Sequence, residues 1–152
     1  MVEPIWKPHT TVAAIAERDG QFLLVEEEVD NQIVFNQPAG HLEPGESLVE
    51  AVIRETLEET RYRFTPTALQ GIYRYPLPGG PEQTYIRFLF RGEVGDRIDG
   101  ELDQGIISAP WMSYEALRAC RRQHRSPMVL QAVTDFMKNP GFPLQVISQV
   151  FA

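Results

Sequence analysis

Cysteine is nearly absent from this chain: Cys120 stands alone among 152 residues, so no disulfide can form within it. Nothing in the sequence calls for an oxidising compartment, and the cytoplasm is the expected location. Histidine is scarce as well, at three residues, and no Cys/His spacing of the zinc-binding kind occurs. Long apolar runs are missing too. Residues 1–10 read MVEPIWKPHT, which is neither a signal peptide nor a membrane span, so no membrane partner is expected. Positive charge is in deficit, with 14 Lys and Arg against 21 Asp and Glu and a formal net charge of -7. That balance disfavours long-range attraction to nucleic acid, to anionic lipid and to free nucleotide phosphates. A phosphate-bearing ligand therefore needs a local cation.

What is present fits one compact domain over residues 1–152, as a monomer or a small homo-oligomer, with enough chain to bury a core without staples. Residues 11–16 and 22–25 are β-branched and apolar and flank Asp19-Gly20, a turn signal, which predicts a hairpin. Residues 33–35 read as a further strand that ends in a loop at Pro38-Ala39-Gly40, with Pro44-Gly45 as another break. Ser47 followed three residues later by Glu50 is a capping box, and the run to Thr60 holds no Gly or Pro, so a helix of roughly 13 residues is predicted. Residues 72–75 and 84–90 read as strands, Ile106-Ile107 as the start of another, and residues 113–121 and 126–138 as helices. Ser126-Pro127 is a cap followed by an N1 proline, and Asn139-Pro140-Gly141 is a stop. There is no internal repeat. Strands around one central helix, followed by late helices, predict a mixed sheet layered with helices.

The informative stretch is residues 40–62, GHLEPGESLVEAVIRETLEETRY. At about 100° per residue, Leu48, Val49, Val52, Ile53, Thr56, Leu57 and Thr60 sweep a broad apolar or neutral arc, opposite Glu50, Arg54 and Glu58. Glu55 and Glu59 project close to Leu48 and Val52, which puts two carboxylates at or inside the edge of the buried face, with Glu58 adjoining. Crowded carboxylates at a desolvated edge repel one another and take up protons unless positive charge compensates them. All-oxygen donors without Cys or His favour Mg²⁺, or Mn²⁺, over zinc. A Glu-rich helix alone is an ordinary solvated surface; the wider spacing separates this one from that case.

That spacing is Gly40, five residues, Glu46, seven residues, Arg54-Glu55, two residues, Glu58-Glu59. It resembles the signature of the Nudix hydrolases, G-x5-E-x7-R-E-U-x-E-E-x-G-U, at every charged position and at the leading glycine. Thr56 stands at the first apolar position, Tyr62 at the last, and Arg61 where the signature has its second glycine. A glycine there supplies a left-handed exit that costs another residue about 1 kcal/mol or more, so the helix exit is the part at issue. The resemblance implies an α+β Nudix fold, a mixed β-sheet sandwiched between α-helices. It further implies Glu55, Glu58, Glu59 and the Gly40 carbonyl as metal ligands and Glu46 with Arg54 as a supporting pair. Arg54 in a charge-assisted bond to Glu46 would fix the loop against the helix and so orient the ligands. Which glutamate acts as base differs between members of the family and stays open.

Other stretches resemble the NudJ-type branch of bacterial phosphatases: Lys7-Pro8-His9, Glu26-Glu27, NQPAGHLE at residues 36–43, RFLF at 87–90, and Arg125-Ser126-Pro127. The branch acts on nucleoside tri- and diphosphates and thiamine-related pyrophosphates, which implies a small-molecule nucleotide or pyrophosphate substrate and release of phosphate. Two alternatives are kept open: a nucleotide-sugar or dinucleotide pyrophosphatase, and a non-catalytic nucleotide-binding regulator. Candidate substrate contacts are Arg87, in a strand between Ile86 and Phe88, His41 beside Gly40, and Tyr73, which alternates with Tyr75. Each also has an ordinary reading as surface or strand packing. Trp111 reads as core. Asp99, Glu101 and Asp103 lie in a polar stretch that reads as a solvated loop, although some Nudix enzymes place an extra acidic group there.

Overall fold

The computed structural model describes residues 1–151. Strands β1 (His9–Arg18) and β2 (Gln21–Leu23) form the expected hairpin, with Asp19 and Gly20 at φ of 52° and 77° as its two-residue turn. β3 (Val25–Val29) and β4 (Gln32–Asn36) form a second hairpin around Asp30 and Asn31, at φ of 50° and 62°. Only the second arm of that hairpin was expected. Its turn has no glycine, and the positive φ is taken by Asp and Asn, whose short polar side chains tolerate it. The segment expected as a loop is instead β5 (Ala39–His41), paired antiparallel with residues 11–13 of β1. Pro38 stands just ahead of that strand, and its carbonyl accepts from Ala14 N–H at 2.9 Å. A proline outside the ladder costs the sheet no donor.

Helix α1 (Leu48–Thr60) begins at a complete capping box: Ser47 Oγ accepts from Glu50 N–H at 3.1 Å, and the Glu50 carboxylate accepts from Ser47 N–H at 2.7 Å. Its fully buried positions are Ala51, Val52, Thr56, Glu59 and Thr60, while Ile53 and Leu57 are half-buried. The two threonines lie in the core because each hydroxyl donates to the carbonyl one turn back, Val52 for Thr56 and Thr56 for Thr60. The helix leaves through Arg61 at φ 63° and ψ 19°, so arginine adopts the left-handed exit that a glycine would otherwise supply. Its N–H donates to Leu57 O at 2.9 Å and its guanidinium to Asp99 O at 2.9 Å, which offsets the strain of about 1 kcal/mol.

β6 (Tyr62–Pro76) and β7 (Thr84–Arg97) run well beyond the expected strands. Register shifts around Pro66 and Gly71 absorb the two residues that mask the first half of β6 in the sequence. β8 (Ile106–Ser108) and β9 (Trp111–Ser113) follow, then α2 (Tyr114–Ala119), a 3-10 turn at Arg121–Gln123, and α3 (Met128–Lys138). The main sheet has the order β6-β7-β1-β2-β9 with β5 beside β1, and a separate sheet has the order β4-β3-β8. β1 and β7 are parallel and the other pairs antiparallel, so the sheet is mixed.

Alternation along β1 explains the layers. Val12, Ala14 and Ala16 pack with Ala51 and Val52 of α1, whereas Ala13 and Ile15 pack with Leu117 of α2 and Val129, Ala132 and Val133 of α3. A strand covered on both faces reads as a continuous apolar run, as residues 12–16 do. The architecture is α+β, a mixed sheet between helices. Among the described residues no helix is long and apolar enough to cross a membrane.

Candidate active site

β5 runs beside α1 and brings Gly40 against Glu55 so closely that a Cβ built on Gly40 would overlap the Glu55 carboxylate. Gly40 is not at positive φ, so what a side chain there would cost is the displacement of the Glu55 carboxylate from its place. Arg54 is the hub of the cluster. It grips Glu46 through Nε at 2.9 Å and Nη2 at 2.6 Å, reaches Glu55 at 2.8 Å and Glu58 at 3.2 Å through Nη1, and donates to His41 O at 3.1 Å. Glu46 also accepts from Glu43 N–H at 2.8 Å, so the loop before the helix is tied to it through one carboxylate. The Arg54 bond holds Glu46 below the usual carboxylate range, and the Glu46 bond in turn raises Arg54.

Glu59 has no such partner. It is 5% exposed, and Ala39 N–H donates to its Oε1 at 2.8 Å. Burial pushes its carboxyl up to about 9, against the pull of the Ala39 bond, and Glu55, Glu27 and Asp103 add repulsion. Burial raises Glu55 as well, opposed by Arg54. Among the described residues no three His, Cys, Asp or Glu side chains are gathered about one point. Arg54 Nη1 bonds both Glu55 and Glu58, while Glu59 turns to Ala39. Oxygen donors from Glu55, Glu58, Glu59 and the Gly40 backbone, with no basic side chain bonded to Glu59 among the described residues, suit a hard divalent cation.

Gly40 also lines a cavity of about 510 Å³ on the α3 side of the sheet. Cross-strand rows build its floor. Ala13 and Leu89 pair within the core; the next row outward is His41, Thr11, Arg87 and Tyr73, and the next is His9, Tyr85 and Tyr75. The face thus changes from apolar to cationic to aromatic within three rows. His9 stacks on Tyr85 at 4.9 Å and meets His41 edge-on at 5.5 Å. Burial and the neighbouring His9 lower His41, favouring its neutral form. Arg87 is 7% exposed and is brought down to about 10 by burial, against the pull of Glu59 and Glu27. The hairpin of β3 and β4 and the connection between α2 and α3, with Arg122 and Arg125, wall the rest.

The structure therefore gathers Glu46, Arg54, Glu55, Glu58, Glu59 and Gly40 at one edge and places His41 and Arg87 in the adjoining cavity. Tyr73 stands beside Arg87 on the sheet outside the residues that line the cavity, and its hydroxyl donates to Asp135 of α3 at 2.6 Å, fastening helix to sheet. Burial, then Asp135, raises that phenol well above its usual range. Tyr73→Phe is expected to lower stability by about 1–2 kcal/mol in a denaturant titration and to leave turnover unchanged. A selective loss of turnover would point to a substrate role. Trp111 packs half-buried against the core, with Nε1 donating to Tyr62 at 3.2 Å. Asp103 N–H donates to Glu58 O at 3.0 Å, so the acidic loop is fastened to the helix end while the Asp103 side remains exposed.

Thr11, Tyr85 and Arg122 carry no local signal as cavity residues: Thr11 and Tyr85 enter through pairing between distant strands, and Arg122 arrives on the 3-10 turn after α2. Asn36, Gly40, His41, Arg87, Glu27 and Arg125-Ser126 lie in stretches that the sequence itself sets apart.

A family model of the NUDIX domain matches residues 7–132. Phosphatase NudJ of Escherichia coli (strain K12) is 34% identical over 144 residues, covering 94% of this chain and 92% of that protein. A solved NUDIX hydrolase from Nitrosomonas europaea is 44% identical with a TM-score of 0.90, covering 95% of this chain and 98% of that one. A MutT NUDIX hydrolase from Burkholderia pseudomallei, 16% identical with a TM-score of 0.71 over 85% of this chain and 98% of that one, shares the fold alone. With the glutamate helix inside the matched region and the likeness running along nearly the whole chain, the protein belongs to the Nudix family of hydrolases.

Proposed function

We propose that this Nudix hydrolase removes terminal phosphate from nucleoside tri- and diphosphates in a Mg²⁺-dependent reaction, with Mn²⁺ as a substitute and thiamine-related pyrophosphates as further substrates. The observation that carries the reading is the buried Glu59, bonded to Ala39 and near Glu55, next to a cavity that Ala39 and Gly40 line together with arginine and aromatic side chains. The likeness to Phosphatase NudJ supports the substrate class.

Glu55, Glu58 and Glu59, with the Gly40 carbonyl, would hold the cation. When bound, it neutralises phosphate charge and lowers the pKa of water. The chain supplies the rest. Arg54 fixes Glu55 and Glu58 in one orientation, Glu46 fixes Arg54, and the Ala39 N–H fixes Glu59 through Oε1. One of these glutamates takes the proton from the attacking water. The cavity holds the remainder of the substrate, its aromatic row meeting a heteroaromatic ring and its arginines the phosphates.

A panel of GTP, GDP, thiamine diphosphate, a nucleotide sugar and a dinucleotide, assayed with Mg²⁺ and analysed for products, tests this. Orthophosphate is expected, with GTP passing through GDP to GMP. Exclusive formation of two monophosphates from the sugar or dinucleotide substrates would replace this reading with the pyrophosphatase one.

A further inference from the structure

We propose that Thr11 and Arg87 form an anion subsite for the phosphate group that stays on the product, so that a nucleoside monophosphate binds this cavity without any metal. The proposal rests on the phosphohydrolase reading and adds to it where the second phosphate lies. Two buried donors carry it: Thr11 Oγ1 and Arg87 Nε have no hydrogen-bond partner, and both residues line the cavity. They are direct cross-strand partners on β1 and β7, so their side chains stand side by side on one face.

Arg87 makes one long side-chain bond, from Nη1 to Asn36 Oδ1 at 3.4 Å, and no carboxylate among the described residues pairs with it. A buried guanidinium left in that state is costly, and a buried hydroxyl without a partner adds to the cost. Structures keep such donors where a ligand satisfies them, and a phosphate offers several acceptor oxygens that suit a guanidinium and a hydroxyl together. Glu59 and Glu27 both pull on Arg87 without bonding it, because Glu59 turns Oε1 to the Ala39 N–H and Arg125 holds Glu27 at 3.3 Å.

The order of groups follows from the rows. The glutamate edge at Gly40 takes the phosphate that leaves. Thr11 separates His41 on β5 from Arg87 on β7, so the subsite begins one strand further in. One row outward, Tyr85 and Tyr75 meet the ring. A substrate with two linked phosphates and an aromatic ring spans all three.

The test is calorimetric titration of the full chain in EDTA with GMP, and with guanosine as the control that lacks phosphate. Wild type should bind GMP at least about tenfold more tightly than guanosine. Thr11→Val, which keeps shape and loses only the hydroxyl, should weaken GMP binding clearly without lowering the melting temperature, and Arg87→Lys should weaken it by about tenfold or more. Equal binding of GMP and guanosine, no GMP binding by the metal-free wild type, or unchanged affinity in folded Thr11→Val overturns the proposal. Should Arg87→Lys fail to fold, Thr11→Val decides alone. Metal-dependent orthophosphate release by a protein that does not bind GMP in EDTA would sink the subsite and leave the hydrolase reading standing.

Discussion

Glu59→Gln is expected to lower phosphate release from GDP by at least about two orders of magnitude while the protein folds and, without metal, melts at a higher temperature than wild type. The second half of that expectation separates the site from a surface helix. The Glu59 carboxyl is pushed from 4.5 up to about 9 in the folded protein. Below pH 4.5 both folded and unfolded chains carry the proton, and the group adds no penalty. Between 4.5 and about 9 the folded chain keeps a proton that the unfolded chain has lost, so metal-free stability falls steadily as pH rises through that window. Glutamine cannot ionise and keeps the Ala39 N–H bond, so the variant should lose this slope. Melting curves from acid to mildly alkaline pH, read beside a GDP assay, check both halves. A folded variant with full turnover would remove Glu59 from the site.

Arg54→Ala carries the second large effect. It deletes the bonds to Glu46, Glu55, Glu58 and the His41 carbonyl at once and leaves three carboxylates without the guanidinium that gathers them. Turnover should fall by roughly 10–100-fold, the scale of a lost orienting partner, and stability by about 1–3 kcal/mol. Glu46→Ala should produce much of the same loss in turnover, because Glu46 holds Arg54 by two bonds at 2.9 and 2.6 Å. The double variant should then add little, as expected of residues that act as one unit. A double-mutant cycle on kcat checks this. Strictly additive losses would show two independent charges.

The helix and its charge spacing were legible because both are local. Ser47, Glu50 and the run free of Gly and Pro set where α1 starts and how long it is, and five of the site residues lie within one stretch of 14, from Glu46 to Glu59. Glu59 was placed near the buried edge from helical geometry alone. What geometry on the helix cannot give is the difference between Glu55 and Glu59. Glu55 shares Arg54, while Glu59 faces β5, an element that exists through pairing with β1 and looked like a loop around Pro38.

The cavity was less legible for the same reason. Thr11 and Arg87 meet only through the parallel pairing of β1 with β7, and no local pattern announces a parallel register. Tyr73 and Tyr75 point to the same side of β6, yet α3 reaches only the first, and the position of a helix formed more than 50 residues later cannot be read from strand alternation. Arg61 marks the opposite situation. The sequence departs from its family's glycine there, and the backbone keeps the left-handed exit nonetheless, at the price of strain partly offset by its bond to Asp99 O.

The most direct test of the central claim, a divalent cation held by the Glu55, Glu58 and Glu59 edge, is a Mg²⁺ titration of the melting temperature at mildly alkaline pH, for wild type and Glu59→Gln in parallel. A ligand that binds the folded state alone at about 100 times its Kd stabilises it by about 2.7 kcal/mol, a rise of several degrees for a chain of this size. Wild type should show that rise, Glu59→Gln little of it, and phosphate release should saturate over the same Mg²⁺ range. A melting temperature indifferent to millimolar Mg²⁺, with GDP hydrolysis undiminished in EDTA, would contradict the account.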